Sequence, residues 1–230
     1  FILNTINSIK ISFDRSKRYQ YLNSKTVNNI TEYLGKFRAV LFSPEEIFII
    51  KGSPSGRRTL IDRAILQTEV GYLRIYQDYL RVLKQRNHLL KSKSALNQIN
   101  VWNESLASSG AKLRKYRLDF IEKFNPILDK VYQNICCTDE IVKIKYSVGY
   151  KNENELVEEL LENLNKNIEK EYIYGITTNG PHRDEFYISI NGNPLRYYGS
   201  QGQQRSFLLA FKAAQVLDLE DVFGNTPILL

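Results

Sequence analysis

A short polar motif, Gly199-Ser200-Gln201-Gly202-Gln203, stands at the start of an apolar segment with helical spacing. A serine and a glycine at a helix start expose a hydroxyl and backbone N–H groups at the positive end of the helix dipole, an arrangement that binds phosphate. An apolar strand predicted at residues 226–230 follows the helix, and this order favours a nucleotide-binding head. An ordinary N-capped helix after a glycine turn explains the same residues, so both interpretations stay open on the local pattern.

A second motif, Gly-Pro-His-Arg-Asp at residues 180–184, lies just before a predicted strand. It puts three side chains that can do chemistry, His182, Arg183 and Asp184, on one tight turn. A local ion pair between Arg183 and Asp184 is the simpler interpretation of this turn.

A third motif joins the Gly/Pro-rich residues 52–56 to the consecutive arginines Arg57 and Arg58. Guanidinium groups pair with phosphate oxygens through two parallel hydrogen bonds, so this motif suits a phosphate backbone. Alternatively, one of the arginines pairs with Asp62, which follows at helical spacing.

The positive charge of the chain is concentrated in one segment. The net charge is +7, yet residues 51–123 alone hold 15 Lys and Arg against 6 Asp and Glu. Within this segment, residues 72–91 have an apolar seam at steps of three and four, which predicts a helix. The seam consists of Leu73, Tyr76, Leu80, Leu83 and Leu90. A separate polar stripe consists of Gln77, Arg81, Lys84, His88 and Lys91. We expect the excess charge to contact phosphates, with Arg57, Arg58, Arg81, Lys84 and Lys91 as the DNA-binding candidates. A solvated helix face is the alternative.

The remaining patterns place these motifs in an α/β layer that an α-rich insertion interrupts. A second long helix is predicted at 95–124, antiparallel to the first, with Gly110 as a candidate kink. It would bury Leu96, Ile99, Trp102, Leu106, Leu113, Phe120 and Phe124. A helix start is predicted at Ser43, and further helices at 153–170 and 203–220. Strands are predicted at 8–13 and 18–22 as a hairpin, and at 37–42, 141–148 and 186–190, the last ending in an Asn191-Gly192 turn.

The cysteines and the chain ends narrow the class further. Cys136 and Cys137 are adjacent and rarely bridge in that arrangement, and no metal-ligand spacing is present, so we expect a reduced, cytoplasmic protein. No run of about 18 apolar residues predicts a membrane span. The chain starts at Phe1, contains no Met and stops within a predicted strand, so we expect an internal fragment.

Taken together, the motifs closely resemble those of the RecF family of bacterial DNA-repair proteins. The family signature is matched in order by Pro44-Glu45, Ile49-Ile50, Gly52-Ser53-Pro54, Arg57-Arg58 and Ile61-Asp62. Residues 84–87 (Lys-Gln-Arg-Asn), 180–184 and 199–205 match as well. Leu60 departs from the Phe or Tyr usual in the family, at a position where we expect packing against the core.

The resemblance implies an α/β fold, a partial ABC-type ATPase head with an inserted α-rich helical arm. Residues 1–50 would be part of the head lobe, 51–172 the arm, and 173–230 the signature-motif part of the head, truncated before the acidic metal-binding strand end. Ser200, Gly202 and Gln203 would reach the γ-phosphate of ATP held by the other subunit of an ATP-dependent homodimer. The phosphate-binding loop and the Mg²⁺ ligands would lie outside this chain, so we expect a weak ATPase in the full-length protein and an inactive fragment.

The implied role is an ATP-dependent DNA-binding clamp of recombinational repair. It would bind double-stranded DNA and single-strand gap junctions, and help load RecA together with RecR and RecO. Two alternatives stay open: a non-enzymatic module that binds protein or RNA, and an ABC-type head of another repair family. The insertion lacks extended heptads and is too short for a long coiled coil. This feature favours the RecF family over an ABC-type head of another repair family.

Overall fold

A computed structural model describes residues 8–14, 17–27 and 38–230 of the protein. At the N-terminal side, β1 (Ile9–Asp14) and β2 (Lys17–Leu22) pair antiparallel, and β3 (Lys25–Thr26) extends the sheet. Ile9 lies opposite Leu22 and Asp14 opposite Lys17. The predicted hairpin is therefore confirmed, although Arg15 and Ser16 of its turn lie outside the described residues.

A small parallel sheet joins the two distant parts of the chain. β4 (Ala39–Val40) pairs with β8 (Ile228–Leu229), and Ala39 lies opposite Ile228. Both strands are shorter than predicted, and Phe37 of the predicted strand lies outside the described residues. The predicted burial of residues 226–230 is wrong for β8, whose two side chains are exposed, because β4 is the one strand that pairs with it in the described ranges.

The arginine pair belongs to a helix and not to a turn. After a 3-10 helix (Pro44–Glu46) and α1 (Ile47–Lys51), the non-helical residues are Gly52 and Ser53, and α2 (Pro54–Thr68) starts at the proline. Proline is favoured in the first helical turn because its missing N–H has no partner there in any case. The Gly/Pro-rich residues 52–56 are therefore partly helical, and Arg57 and Arg58 lie in the first turns of α2.

Two long helices form the centre of the described structure. α3 (Val70–Lys91) and α4 (Leu96–Cys136) pack against each other, as predicted. The 41 residues of α4 far exceed the predicted 95–124, and its length is about 60 Å at the rise of an α-helix. Helix α4 ends where Cys137 adopts a left-handed conformation with φ +50°.

Gly110 is a close-packing position of α4 and not a break in the helix. A Cβ there would lie 3.2 Å from Leu160, 3.3 Å from Tyr79 and 3.4 Å from Pro181. Three other segments therefore approach the helix backbone at this point.

The apolar seam of α3 is rotated from the prediction, while its polar stripe is confirmed as exposed. Tyr72 and Tyr79 are buried, whereas the predicted seam residue Leu80 is 41% exposed. On α4, Leu96 is likewise exposed although the periodicity predicts burial. All five residues of the stripe are exposed: Gln77, Arg81, Lys84, His88 and Lys91.

The segments after α4 pack against it mainly through β5, α5 and α8. The helices are α5 (Glu153–Lys166), α6 (Ile168–Tyr174), α7 (Leu195–Tyr198) and α8 (Gln201–Phe223). The strands β5 (Val142–Tyr146), β6 (Phe186–Ile190) and β7 (Asn193–Pro194) form one antiparallel sheet. β5 pairs with β6, although the predicted domain limit at residue 172 lies between these strands in the sequence. One continuous hydrophobic core includes residues from Ile50 to Ala214. The domain limits at 50 and 172 stay predictions.

Candidate nucleotide and nucleic-acid contact sites

Ser200 is the N-cap of α8 and lies exposed at its start. Its Oγ accepts a hydrogen bond from the N–H of Gln203 at 3.1 Å, and Gln203 Oε1 accepts one from the N–H of Ser200 at 3.0 Å. This reciprocal capping box fixes the loop while the hydroxyl hydrogen of Ser200 stays available to a ligand. The first N–H groups of a helix have no intrahelical partner, so an anion can approach here.

The two glycines of this motif serve different purposes. A Cβ on Gly199 would lie 2.4 Å from Leu195 Cδ1 and 2.6 Å from its carbonyl oxygen, so only glycine fits. A Cβ on Gly202 would meet Ser200 Oγ at 3.7 Å, which is ordinary contact. Gly202 therefore leaves the approach to the Ser200 hydroxyl open.

The side chain of Gln203 makes two hydrogen bonds within the chain. Its Oε1 accepts from Ser200, and its Nε2 donates to Glu140 Oε1 at 2.9 Å. In this conformation the amide of Gln203 shapes the loop, whereas Ser200 and Gly202 face solvent. A contact of Gln203 with phosphate stays a prediction.

The residues 180–184 form a tight turn whose acidic side chain points into the arm. Gly180 has φ +128°, and a Cβ there would lie 2.6 Å from the Tyr79 hydroxyl. Asp184 is paired with Arg114 through two bonds of 2.9 Å, and burial, which raises its pKa, is outweighed by Arg114, so its pKa lies below the usual value. The predicted local pair of Arg183 with Asp184 is wrong, because Arg183 is exposed while Asp184 is buried against α4.

His182 is held between two partners and is neutral at pH 7. Its Nδ1 lies 2.6 Å from the hydroxyl of Tyr79 and its Nε2 lies 3.1 Å from the carbonyl oxygen of Thr177. This pattern suits the tautomer in which Nε2–H donates and Nδ1 accepts. Burial lowers the pKa of His182 to about 4.

Arg57 and Arg58 both bind within the chain. Arg57 is buried, bonds both oxygens of Glu185 at 2.9 and 3.1 Å, and donates to the carbonyls of Ile50 and Gly52. Arg58 is half-buried and donates to the carbonyl of Asp184 at 2.8 Å.

The alternative prediction for this motif, an ion pair of Arg57 or Arg58 with Asp62, is wrong. Both oxygens of Asp62 are bound by Arg117 at 2.9 Å, and Tyr72 donates to one of them at 2.6 Å.

The other DNA-binding candidates share one exposed face of α3. Arg81 is 73% exposed at the side chain and pairs with Asp78 on the same helix at 2.8 Å. Lys84 and Lys91 follow on the same stripe. The structure thus brings together three of the five candidates and separates them from the buried Arg57.

Sequence reasoning missed the buried arginines Arg86, Arg114 and Arg117. Arg86 is fully buried and bonds Glu171 at 2.7 Å, Asn103 at 2.9 Å and Thr177 at 2.7 Å. A signal was present, since Arg86 stands four residues from both Val82 and Leu90, in the register of buried positions.

These elements define a class: an α/β protein with part of an ABC-type head and an inserted helical arm. No family model matches the sequence. The DNA replication and repair protein RecF of Syntrophotalea carbinolica is 42% identical over 223 residues, covering 97% of this chain and 61% of that protein. The RecF protein of Geotalea uraniireducens is 39% identical over 230 residues, covering 96% of this chain and 62% of that protein.

The solved structures agree with the sequence relatives. The recombination mediator protein RecF of the RecFOR pathway, in its ATP form, matches with a TM-score of 0.90 at 33% identity, covering 97% of this chain and 62% of that one. The chain belongs to the RecF family over the part that it spans, which is about 61% of the first of these relatives. None of the helices in the described ranges combines the length and apolar character that a membrane crossing requires.

Proposed function

We propose that this chain is part of an ATP-gated DNA-binding clamp of recombinational repair. The observation that carries the proposal is the exposed, capped start of α8, where Ser200 and Gly202 leave a hydroxyl and free N–H groups open to an anion. The RecF relatives are named for DNA replication and repair, and a matched RecF structure contains ATP. These facts support a nucleotide phosphate as the anion.

In the proposed mechanism the nucleotide belongs to a second copy of the protein. The Ser200 hydroxyl donates to a γ-phosphate oxygen, and the N–H groups at the start of α8 stabilise the negative charge. Gln203 contributes by holding the loop. ATP thereby joins two subunits, and hydrolysis would release them.

No step of this mechanism uses a metal held by this chain. In residues 8–14, 17–27 and 38–230, no three His, Cys, Asp or Glu side chains gather in a way that could hold a metal ion.

The DNA surface of the proposed clamp is the exposed stripe of α3, with Arg81, Lys84 and Lys91. Three cations on one helix face suit a phosphate backbone and carry no sequence information, so we expect nonspecific, salt-sensitive binding. Arg57 is left out of this surface because its guanidinium is buried on Glu185. Double-stranded DNA, gap junctions, RecR, RecO and RecA are the proposed partners.

The test is Ser200→Arg in the full-length protein. We expect ATP to bind the monomer normally. The bulky side chain of arginine in place of the small hydroxyl should block the close approach of the second subunit and therefore ATP-driven dimerisation. Sedimentation with a slowly hydrolysed ATP analogue measures this. Ser108→Arg, at an exposed position on α4, is the matched control and should dimerise like wild type. Normal dimerisation of Ser200→Arg would contradict the proposed role.

A further inference from the structure

The link between α4 and β5 carries an acidic residue that reaches residues 199–203 at the start of α8, called the signature loop below. Glu140 follows the end of α4 by four residues and lies two residues before β5. Its Oε1 accepts from Gln203 Nε2 at 2.9 Å, and its Oε2 accepts from the hydroxyl of Tyr132 at 3.0 Å. Both carboxylate oxygens are thus used, one on α8 and one on α4.

The Gln203 amide needs a fixed orientation for the capping box to form. Ser200 N–H requires an acceptor, so Oε1 must face it and Nε2 must point the other way. Glu140 supplies a charged acceptor at that position, and hydrogen bonds to charged groups are the stronger ones. With the amide flipped, two donors would face each other at Ser200 and half of the box would be lost.

Glu140 is itself held firmly. Tyr132 is 1% exposed and sits in the last turns of α4, so its hydroxyl is a fixed point. The adjacent Ile141 exchanges hydrogen bonds with Asn191, where β6 turns into β7. The carboxylate therefore connects the end of the longest helix to the loop that presents Ser200.

From this geometry we infer that Glu140 is a positioning residue for the signature loop, acting through the amide of Gln203 on the presentation of Ser200. The inference rests on the proposed function of that loop. Glu140 does not touch the nucleotide in this mechanism. It sets the loop conformation that a second subunit's ATP meets.

The experiment compares Glu140→Ala, Glu140→Gln and Asp139→Ala in the full-length protein. We expect Glu140→Ala to weaken ATP-driven dimerisation about 10-fold while ATP affinity of the monomer stays within about 2-fold, since one of the two charge-assisted bonds that it removes orients the amide of Gln203. Glu140→Gln keeps an acceptor for Nε2 and should stay within about 3-fold of wild type. The exposed neighbour Asp139 is the matched control, and its variant should behave as wild type.

A double variant separates positioning from general damage. Because Glu140 acts through Gln203, adding Glu140→Ala to Gln203→Ala should cause no further loss of dimerisation. Additive losses, or an equal fall in monomer ATP affinity, would overturn the inference. If Ser200→Arg blocks dimerisation but Glu140→Ala does not, the inference fails alone. If Ser200→Arg also dimerises normally, the proposed function fails first.

Discussion

Two sets of cationic side chains in the arm have opposite surroundings. Arg57, Arg86, Arg114 and Arg117 are buried and bonded to carboxylates, whereas the stripe of Arg81, Lys84 and Lys91 faces solvent. Three arginines of the first set join α2, α3 and α4 to segments that follow α4, and Arg117 joins α4 to α2. The second set lies on a helix face where Arg81 pairs with Asp78 and both partners are exposed.

The contrast shows that local net charge overstates surface charge. Three of the four buried arginines take a carboxylate from outside residues 51–123: Arg57 from Glu185, Arg86 from Glu171 and Arg114 from Asp184. Part of the positive excess of this segment is therefore neutralised in the interior. What is left for an anionic partner is the exposed stripe and its neighbours.

The largest effect on stability should come from Arg117→Met. It leaves the carboxylate of Asp62 buried with the hydroxyl of Tyr72 as its remaining partner, and breaking a buried pair in this way costs about 3–5 kcal/mol. Urea unfolding would measure the loss. Arg81→Met is the matched control and should change the free energy of unfolding by at most about 1 kcal/mol. Similar small losses in both variants would erase the distinction between the two sets.

His182 should make stability depend on pH. Its folded pKa of about 4 lies below the unfolded value of about 6.5, so the unfolded state binds more protons between these values. Stability is therefore full above pH 6.5 and falls as pH drops towards 4, by up to about 3 kcal/mol. The measurement is the free energy of unfolding at pH 7 and at pH 4. The loss between these two values should be smaller in His182→Gln than in wild type. The control His88→Gln, at an exposed position of α3, should follow wild type. An equal loss in all three proteins would exclude His182 as the cause.

Arg57 sharpens the comparison because the sequence predicts a DNA contact and the structure buries it. We expect Arg57→Met to destabilise by about 1–3 kcal/mol, since Glu185 loses a two-bond partner but keeps partial contact with water. Adding Glu185→Gln should recover part of the loss in a double-mutant cycle. If Arg57→Met instead lowered DNA affinity and left the free energy of unfolding unchanged, Arg57 would belong to the proposed DNA surface.

Much of the fold is readable from local patterns. The alternation in β5 and β6 and the leucines at steps of four in α5 place those elements closely, because each has one clean apolar face. The end of α4 was not readable, since Pro126 is a helix breaker by propensity and yet lies inside this helix. Burial on α3 was misplaced because Tyr72 and Tyr79, which the predicted seam leaves out, are buried with their hydroxyls bonded to Asp62 and His182.

The site was readable in part for the same reason. The capping box at Ser200 follows from residues three apart, which the sequence shows directly. The charged partners of Arg57, Asp62 and Asp184 lie 55 or more positions away, and no local spacing predicts them. Local rules therefore gave Asp62 as one possible partner of the arginine pair and Arg183 as the partner of Asp184, whereas the folded chain pairs these residues with more distant ones.

Substitutions in the exposed stripe of α3 should have the smallest effect on stability, and they test the proposed DNA binding. Charge reversal by Arg81→Glu with Lys84→Glu should leave the free energy of unfolding within about 1 kcal/mol, because both side chains are exposed. DNA affinity of the full-length dimer with ATP should fall uniformly across sequences. The slope of log affinity against log salt should flatten by about 0.9 for each phosphate that the variant no longer neutralises.

Lys143→Glu with Lys145→Glu is the matched control for this charge reversal, since both lysines are exposed on the outer face of β5. It changes the net charge equally, so any general loss of long-range attraction appears in both double variants. A flattened slope in the α3 variant alone means that the stripe contacts phosphates directly. If the slope of log affinity against log salt were equal in both variants and in wild type, the stripe would not be a DNA-binding surface. The arm would then be better explained as a protein-docking element whose partner contacts the same three cationic side chains.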